Sequence, residues 1–126
     1  MDKFLKDYDG HMFEDEGGCC SKDFKSFAAK LKNYLKRNLP ESYAVVKHTC
    51  GHYFVTGFVK NASGEACYYS FAWNRFSPLD VNADQCLRGG AMCRKALDTS
   101  DCSGRGGNNQ WTSIAKLPEM IAALLA

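Results

Sequence analysis

Between residues 51 and 76 the chain reads GHYFVTGFVKNASGEACYYSFAWNRF, two runs of strand formers around a turn. In the first run Tyr53, Val55 and Val59 share one parity, and His52, Phe54, Thr56 and Phe58 share the other. Side chains alternate across a strand, so each set belongs to one face of a sheet. Residues 61–65, NASGE, supply the turn. The second run, 66–73, sets Cys67, Tyr69, Phe71 and Trp73 against Tyr68 and Ser70. Large residues on both parities predict that one side of this hairpin packs on helices and the other presents aromatic surface.

The flanking segments fit around it. Residues 21–38 predict a helix: Ser21 can cap it, Asp23 suits the first turn, and Lys36 and Arg37 suit the last. Phe24, Phe27, Ala28, Leu31, Tyr34 and Leu35 form its apolar stripe. Residues 42–50 predict a strand, with Tyr43, Val45 and Lys47 opposite Ala44, Val46 and His48. Residues 91–97 read as a fourth strand or a short helix, and 98–109 as a polar, glycine-rich loop. Pro118 opens a closing helix whose stripe is Leu117, Met120, Ile121, Leu124 and Leu125. Residues 1–20 predict an arm, either a short helix or extended, in which Phe4, Leu5 and Tyr8 touch the body. The expected fold is α+β: an N-terminal helix, an antiparallel meander of three to four strands, and a C-terminal helix on one face of the sheet. Residues 21–126 form its single domain.

Composition narrows the function classes. A chain of 126 residues, 45% hydrophobic and 24% charged, suits one soluble globular domain. Its net charge of +2 disfavours an acidic DNA mimic and does not demand nucleic-acid binding. The charged N-terminus does not read as a secretory signal, and no apolar run approaches the roughly eighteen residues of a membrane span. A cytoplasmic protein is expected, with no membrane partner. Seven cysteines, an odd number, then imply free thiols rather than a disulfide framework.

Several constellations could carry chemistry. Cys50 and His52, with Cys86, Cys93 and Cys102, could hold a structural zinc, but no C-x-x-C pair is present, and cysteines acting as small apolar residues are the expected state, with no cofactor. A nucleophilic set can be written from Cys50 or Cys93, His48 or His52, and Asp98 or Asp101, yet nothing places the nucleophile at a helix N-terminus or oxyanion hole. Residues 103–109, SGRGGNN, could converge backbone N–H groups on an anion, with Arg105 adding charge. Tyr53, Tyr68, Tyr69, Phe71 and Trp73, with Arg75 and Arg94, could form a recognition platform. Lys25, Lys32 and Lys36 share a helix face that could meet phosphate.

Three segments also carry a resemblance: SKDFKSFAAKLKNYLKRNLP, the pair GHYFVTGFVKN and YYSFAWNRF, and CRKALDTSDCSGRGGNNQWTSI. Together they resemble small uncharacterised proteins of phages and conjugative elements of gut Firmicutes, in which the pattern runs GHYYVSGF, YFSISDVR, RTAK-x-x-KDYTGGSN. The matching positions are Gly51, His52, Tyr53, Val55, Gly57 and Phe58, then Ser70 and Arg75, then Arg94, Lys95, Gly106, Gly107 and Asn108. Asn74 stands where the pattern has aspartate. The resemblance implies an accessory protein of a mobile element acting in a bacterial cytoplasm, a setting in which anti-CRISPR-like inhibitors of host defence are frequent. The expected binding surface is Tyr53, Tyr68, Trp73, Arg75, Arg94, Arg105 and Asn108, directed at a host defence protein or nuclease complex. The alternatives are a nucleic-acid-binding accessory domain using Lys25, Lys32 and Lys36, and a small hydrolase built on His52 with Asp98 or Asp101.

Overall fold

The computed structural model describes residues 2–14, 21–73, 77–82 and 90–126. Three helices, α1 (Lys3–Tyr8), α2 (Lys22–Asn38) and α3 (Leu117–Leu124), accompany five strands: β1 (Ala44–Cys50), β2 (Phe54–Lys60), β3 (Ala66–Ala72), β4 (Ala91–Ala96) and β5 (Gln110–Thr112). The strands form one antiparallel sheet in the order β1-β2-β3-β4-β5. The fold is α+β, as expected, with five strands rather than three to four. The fifth is three residues long, too short for an alternating pattern to register, and exists through its pairing with β4. Among the described residues no helix is long and apolar enough to cross a membrane.

Helix α2 forms where its capping chemistry places it. The Ser21 hydroxyl accepts the Phe24 N–H at 3.0 Å, and Leu39 closes the last turn onto the Leu35 carbonyl. Its apolar stripe is buried against Val55, Val59, Cys67, Tyr69 and Phe71 of the sheet. The N-terminal segment joins the same core. Asp2 caps α1, Arg37 donates to the Asp2 carboxylate at 2.8 Å, and Phe4, Leu5, Tyr8 and Phe13 are buried with the α2 phenylalanines. Helix α3 closes the other half of this face, and Tyr34 on α2 donates its hydroxyl to the Ala115 carbonyl just before α3.

One expectation about β1 fails for a physical reason. Simple alternation puts His48 on the face of Val46, but the β1–β2 register shifts between Val46 and Thr49, and Lys47 sits at φ 53°. A bulge of this kind inserts one residue and inverts the faces beyond it. His48 therefore turns into the core, where its ring bonds the Tyr69 hydroxyl at 2.5 Å and the Ala28 carbonyl at 2.8 Å. A carbonyl only accepts, so Nε2 carries the proton and Nδ1 accepts from Tyr69. Lys47 swings to the opposite face, where its ammonium donates to the Thr99 carbonyl and lies over the Phe58 ring.

Tyr69 lies across Gly57 of the neighbouring strand. A Cβ on Gly57 would stand 2.6 Å from the ring carbon Cζ, so only glycine leaves room for the phenol. Gly57→Ala is expected to destabilise the fold by about 1–3 kcal/mol, as overpacking of a tight core does. A urea titration would measure it, and adding Tyr69→Phe should not restore stability, because with the hydroxyl gone the ring carbons Cζ and Cε1 would still stand 2.6 and 2.9 Å from the new Cβ.

Burial holds the His48 imidazole pKa below the ordinary 6.5, and the Lys32 charge adds to this against the Ala28 hydrogen bond. The native state thus keeps His48 neutral while the unfolded chain takes up a proton near pH 6.5. The contribution is complete above that value and is lost as pH falls from 6.5 toward the lowered native pKa. The urea midpoint should fall between about pH 7 and about pH 5, and His48→Leu should flatten that slope.

Candidate functional site

Helices cover one face of the sheet. The other face carries, across the strands, a row of Val46, Phe58, Tyr68 and Arg94, then a row of Thr49, Thr56, Ser70, Met92 and Trp111, then Phe54 beside Ala72. These rows differ in cover. In the first, Phe58 and Arg94 are buried and Tyr68 is half-buried. Beyond it Thr49 and Ala72 are exposed, Phe54 is 55% exposed and Trp111 is 44% exposed. This outer face therefore has a covered end and a second end where Phe54, Trp111, Thr49 and Ala72 are exposed while Met92 is buried.

What covers the first end is the polar loop 97–109, which is fixed in place from within. The Asp101 side chain is fully buried, and its carboxylate accepts the backbone N–H groups of Leu97 (3.0 Å), Arg105 (3.2 Å) and Gly106 (2.9 Å). The Leu97 hydrogen bond is the largest of the causes holding the Asp101 carboxyl below the usual range. The converging amides of the glycine-rich loop do cradle an anion, but the anion is the chain's own Asp101. Gly106 is required for this fold-back, since a Cβ there would stand 2.6 Å from the backbone of Ala96 and Leu97.

Arg94 is the second anchor. Its guanidinium stacks on the Tyr68 ring at 4.4 Å, donates from Nη1 to Asn109 Oδ1 at 3.0 Å, and from Nη2 to the Cys102 carbonyl at 2.7 Å. Arg94 is only 8% exposed, its Nε has no hydrogen-bond partner, and among the described residues it makes no ion pair. A buried cation satisfied by neutral oxygens and a ring face keeps its positive charge uncompensated. Burial, opposed by this neighbouring charge, raises the Tyr68 phenol pKa. Lys47 and Lys60 add two exposed cations, and Arg105 projects from the loop with its side chain 71% exposed while its Nε lies 3.9 Å from the Asp101 carboxylate. No sheet position on this face carries an aspartate or glutamate.

The expected binding residues are only partly brought together. Tyr68, Arg94, Arg105 and Asn108 lie on the outer face or its loop. Trp73 does not: it is 8% exposed and packs on Phe13 and Phe24 at 5.2 and 5.5 Å, because β3 continues its inward parity to that point. Tyr53 is half-buried and leans on Trp73 at 5.4 Å, on the helical side. Arg75 lies outside the described residues. Phe54 and Trp111 take the exposed aromatic positions instead. The parity of Phe54 with Thr56 and Phe58 is visible in the sequence, whereas Trp111 carries no such signal in so short a strand.

The other constellations are dispersed. Cys93 faces the core, where a hydrogen bond with the Cys67 thiol and burial raise its pKa, while Cys102 is exposed on the outer loop. Cys50 and Cys93 are thus not gathered with Cys102, and Cys86 lies outside the described residues. Both ring nitrogens of His48 are engaged in the core. Asp98 binds the Ser100 hydroxyl and N–H, and Asp101 its loop amides, while the His52 ring lies against Tyr53, centroids 4.0 Å apart and tilted by 51°. On α2, Lys25 and Lys36 are exposed and Lys32 half-buried, and none of the three pairs with a carboxylate among the described residues.

Replacing Asp101 by alanine should release the loop without unfolding the sheet. Amide hydrogen exchange at Leu97 and Gly106 is expected to quicken at least tenfold while β2 and β3 amides stay protected. Acid should do the same to the native chain as pH falls through the lowered carboxyl pKa of Asp101, since the unfolded carboxyl titrates at 3.8.

Scans of the chain against protein-family models, curated proteins and solved structures each find no match.

Proposed function

We propose that this chain is a non-enzymatic binding protein of a mobile element, which inhibits a host defence complex by seating its outer sheet face on a nucleic-acid or nuclease surface. The observation that carries the reading is the composition of that face: exposed Phe54 and Trp111 beside a buried, uncompensated Arg94, with Arg105 and Asn108 presented on a loop fixed by Asp101. Aromatic and arginine side chains around a desolvated centre are the residues that dominate protein interfaces. The host-defence setting comes from the resemblance to phage and conjugative-element proteins. Occlusion is a mechanism that needs no cofactor and no turnover.

A second reading is favoured by a separate observation. Lys22, Lys25, Lys32 and Lys36 recur at helical spacing along α2 without carboxylate partners among the described residues. Such a stripe suits phosphate. One experiment separates the two. The tagged chain is used to capture partners from a bacterial host lysate, with and without nuclease, alongside Trp111→Ala, Arg105→Ala and a Lys25/Lys32/Lys36→Ala triple variant. The inhibitor reading expects a stoichiometric protein that survives nuclease and is lost roughly tenfold or more with Trp111→Ala or Arg105→Ala, at unchanged thermal stability. Recovery of nucleic acid alone, salt-sensitive and lost only in the lysine variant, would replace it with the second reading.

A further inference from the structure

We infer that the outer face is built for an extended acidic segment of a protein partner, one with apolar side chains at one end and aspartate or glutamate at the other. This inference rests on the reading that the outer face is the interface, and it adds the chemistry of the occupant. Two gradients on the face point to it. Along β2 the surface passes from exposed Phe54 through half-buried Thr56 to Phe58 and exposed Lys60. Over those six steps, about 20 Å at strand rise, apolar surface gives way to cationic surface. Across the strands the cationic end gathers Lys47 and Arg94, with Arg105 on the covering loop paired to Asp101.

Charge balance sets the sign of the occupant. The sheet positions of this face hold no carboxylate. On the covering loop Asp101 is enclosed by amides and paired with Arg105 at 3.9 Å, and Asp98 is exposed. The excess positive charge of this end therefore rests on Lys47, Lys60 and Arg94. Arg94 is buried with neutral acceptors and makes no ion pair among the described residues. A partner carboxylate laid beside the exposed Lys47 and Lys60 gains attraction and meets no repulsion from the sheet itself. Nucleic acid fits this face less well. Phe54 and Trp111 lie three strands apart, about 14 Å at the usual spacing, too far to stack successive bases. The cations are also clustered at one end rather than strung along a groove, as a phosphate backbone needs.

The test is selection of a random-peptide phage library on the immobilised full chain, with single-stranded oligo-dT as a competing probe. Enriched peptides are expected to combine apolar residues with aspartate or glutamate a few positions away. Their affinity should fall at least about tenfold with Trp111→Ala and with Lys60→Glu, exposed positions whose replacement leaves the core untouched. Peptides that are neutral or basic, yet still lost with Trp111→Ala, would overturn the acidic occupant while leaving the interface in place. Peptides indifferent to Trp111→Ala and Phe54→Ser, or no enrichment at all, would remove both. Oligo-dT displacing the peptides at equal or lower concentration would assign the face to nucleic acid instead.

Discussion

The structure turns on the contact of Tyr69 with Gly57 and His48. The phenol needs a neighbour without a side chain to lie flat in the sheet core, and Gly57 provides that space. Its buried hydroxyl needs an acceptor, because an unpaired polar atom there would lose a hydrogen bond to water without replacement. The acceptor is His48, which reaches the core only because the β1 bulge inverts the strand's faces. The same bulge sends Lys47 outward to the Thr99 carbonyl. One local irregularity thus satisfies the core hydrogen bond to Tyr69 and places a cation on the binding face. His48 also ties β1 to α2 through the Ala28 carbonyl, so the edge strand, the central strand and the main helix meet at a single imidazole.

Much of this order is readable from the chain. The alternation in residues 54–60 and 66–73, the Ser21 cap and the stripe of α2 each arise from local chemistry, and local chemistry is what a sequence displays directly. The bulge is not readable, since Lys47 at positive φ belongs to none of the residue types that favour it. Its cause is long-range: the demand of Tyr69 for a partner. Trp73 was legible as inward by its parity with Tyr69 and Phe71. Assigning it to the surface required a face that parity had already given to the core. β5 and the enclosed role of Asp101 depend on contacts between distant or irregular segments, and no periodicity announces those.

The loop 97–109 shows how a glycine-rich stretch can look like an anion site and be one, without a ligand. Amides at 97, 105 and 106 converge as a nest, but the chain fills it with its own carboxylate. The consequence is rigidity without a secondary-structure ladder. Arg94 adds a second tether through Cys102 and Asn109, so a segment with little apolar content remains packed on the sheet. Arg105 and Asn108 consequently project from a fixed frame, which lowers the ordering entropy that docking would otherwise have to overcome.

The division between covered and open faces follows from dimensions. Five strands at about 4.8 Å give a sheet some 19 Å wide between its edge strands, and a helix with its side chains is about 10 Å across. Two helices are therefore enough for one face, and α2 over β1 with α3 over β4 use them. The apolar residues of α1 are likewise committed to that layer, against the α2 phenylalanines. Among the described residues no helix remains for the outer face, and the loop covers only one end of it. The exposed Phe54 and Trp111 are then the remainder of a packing problem solved on the opposite side, and an apolar remainder next to an uncompensated cation is surface that association would bury.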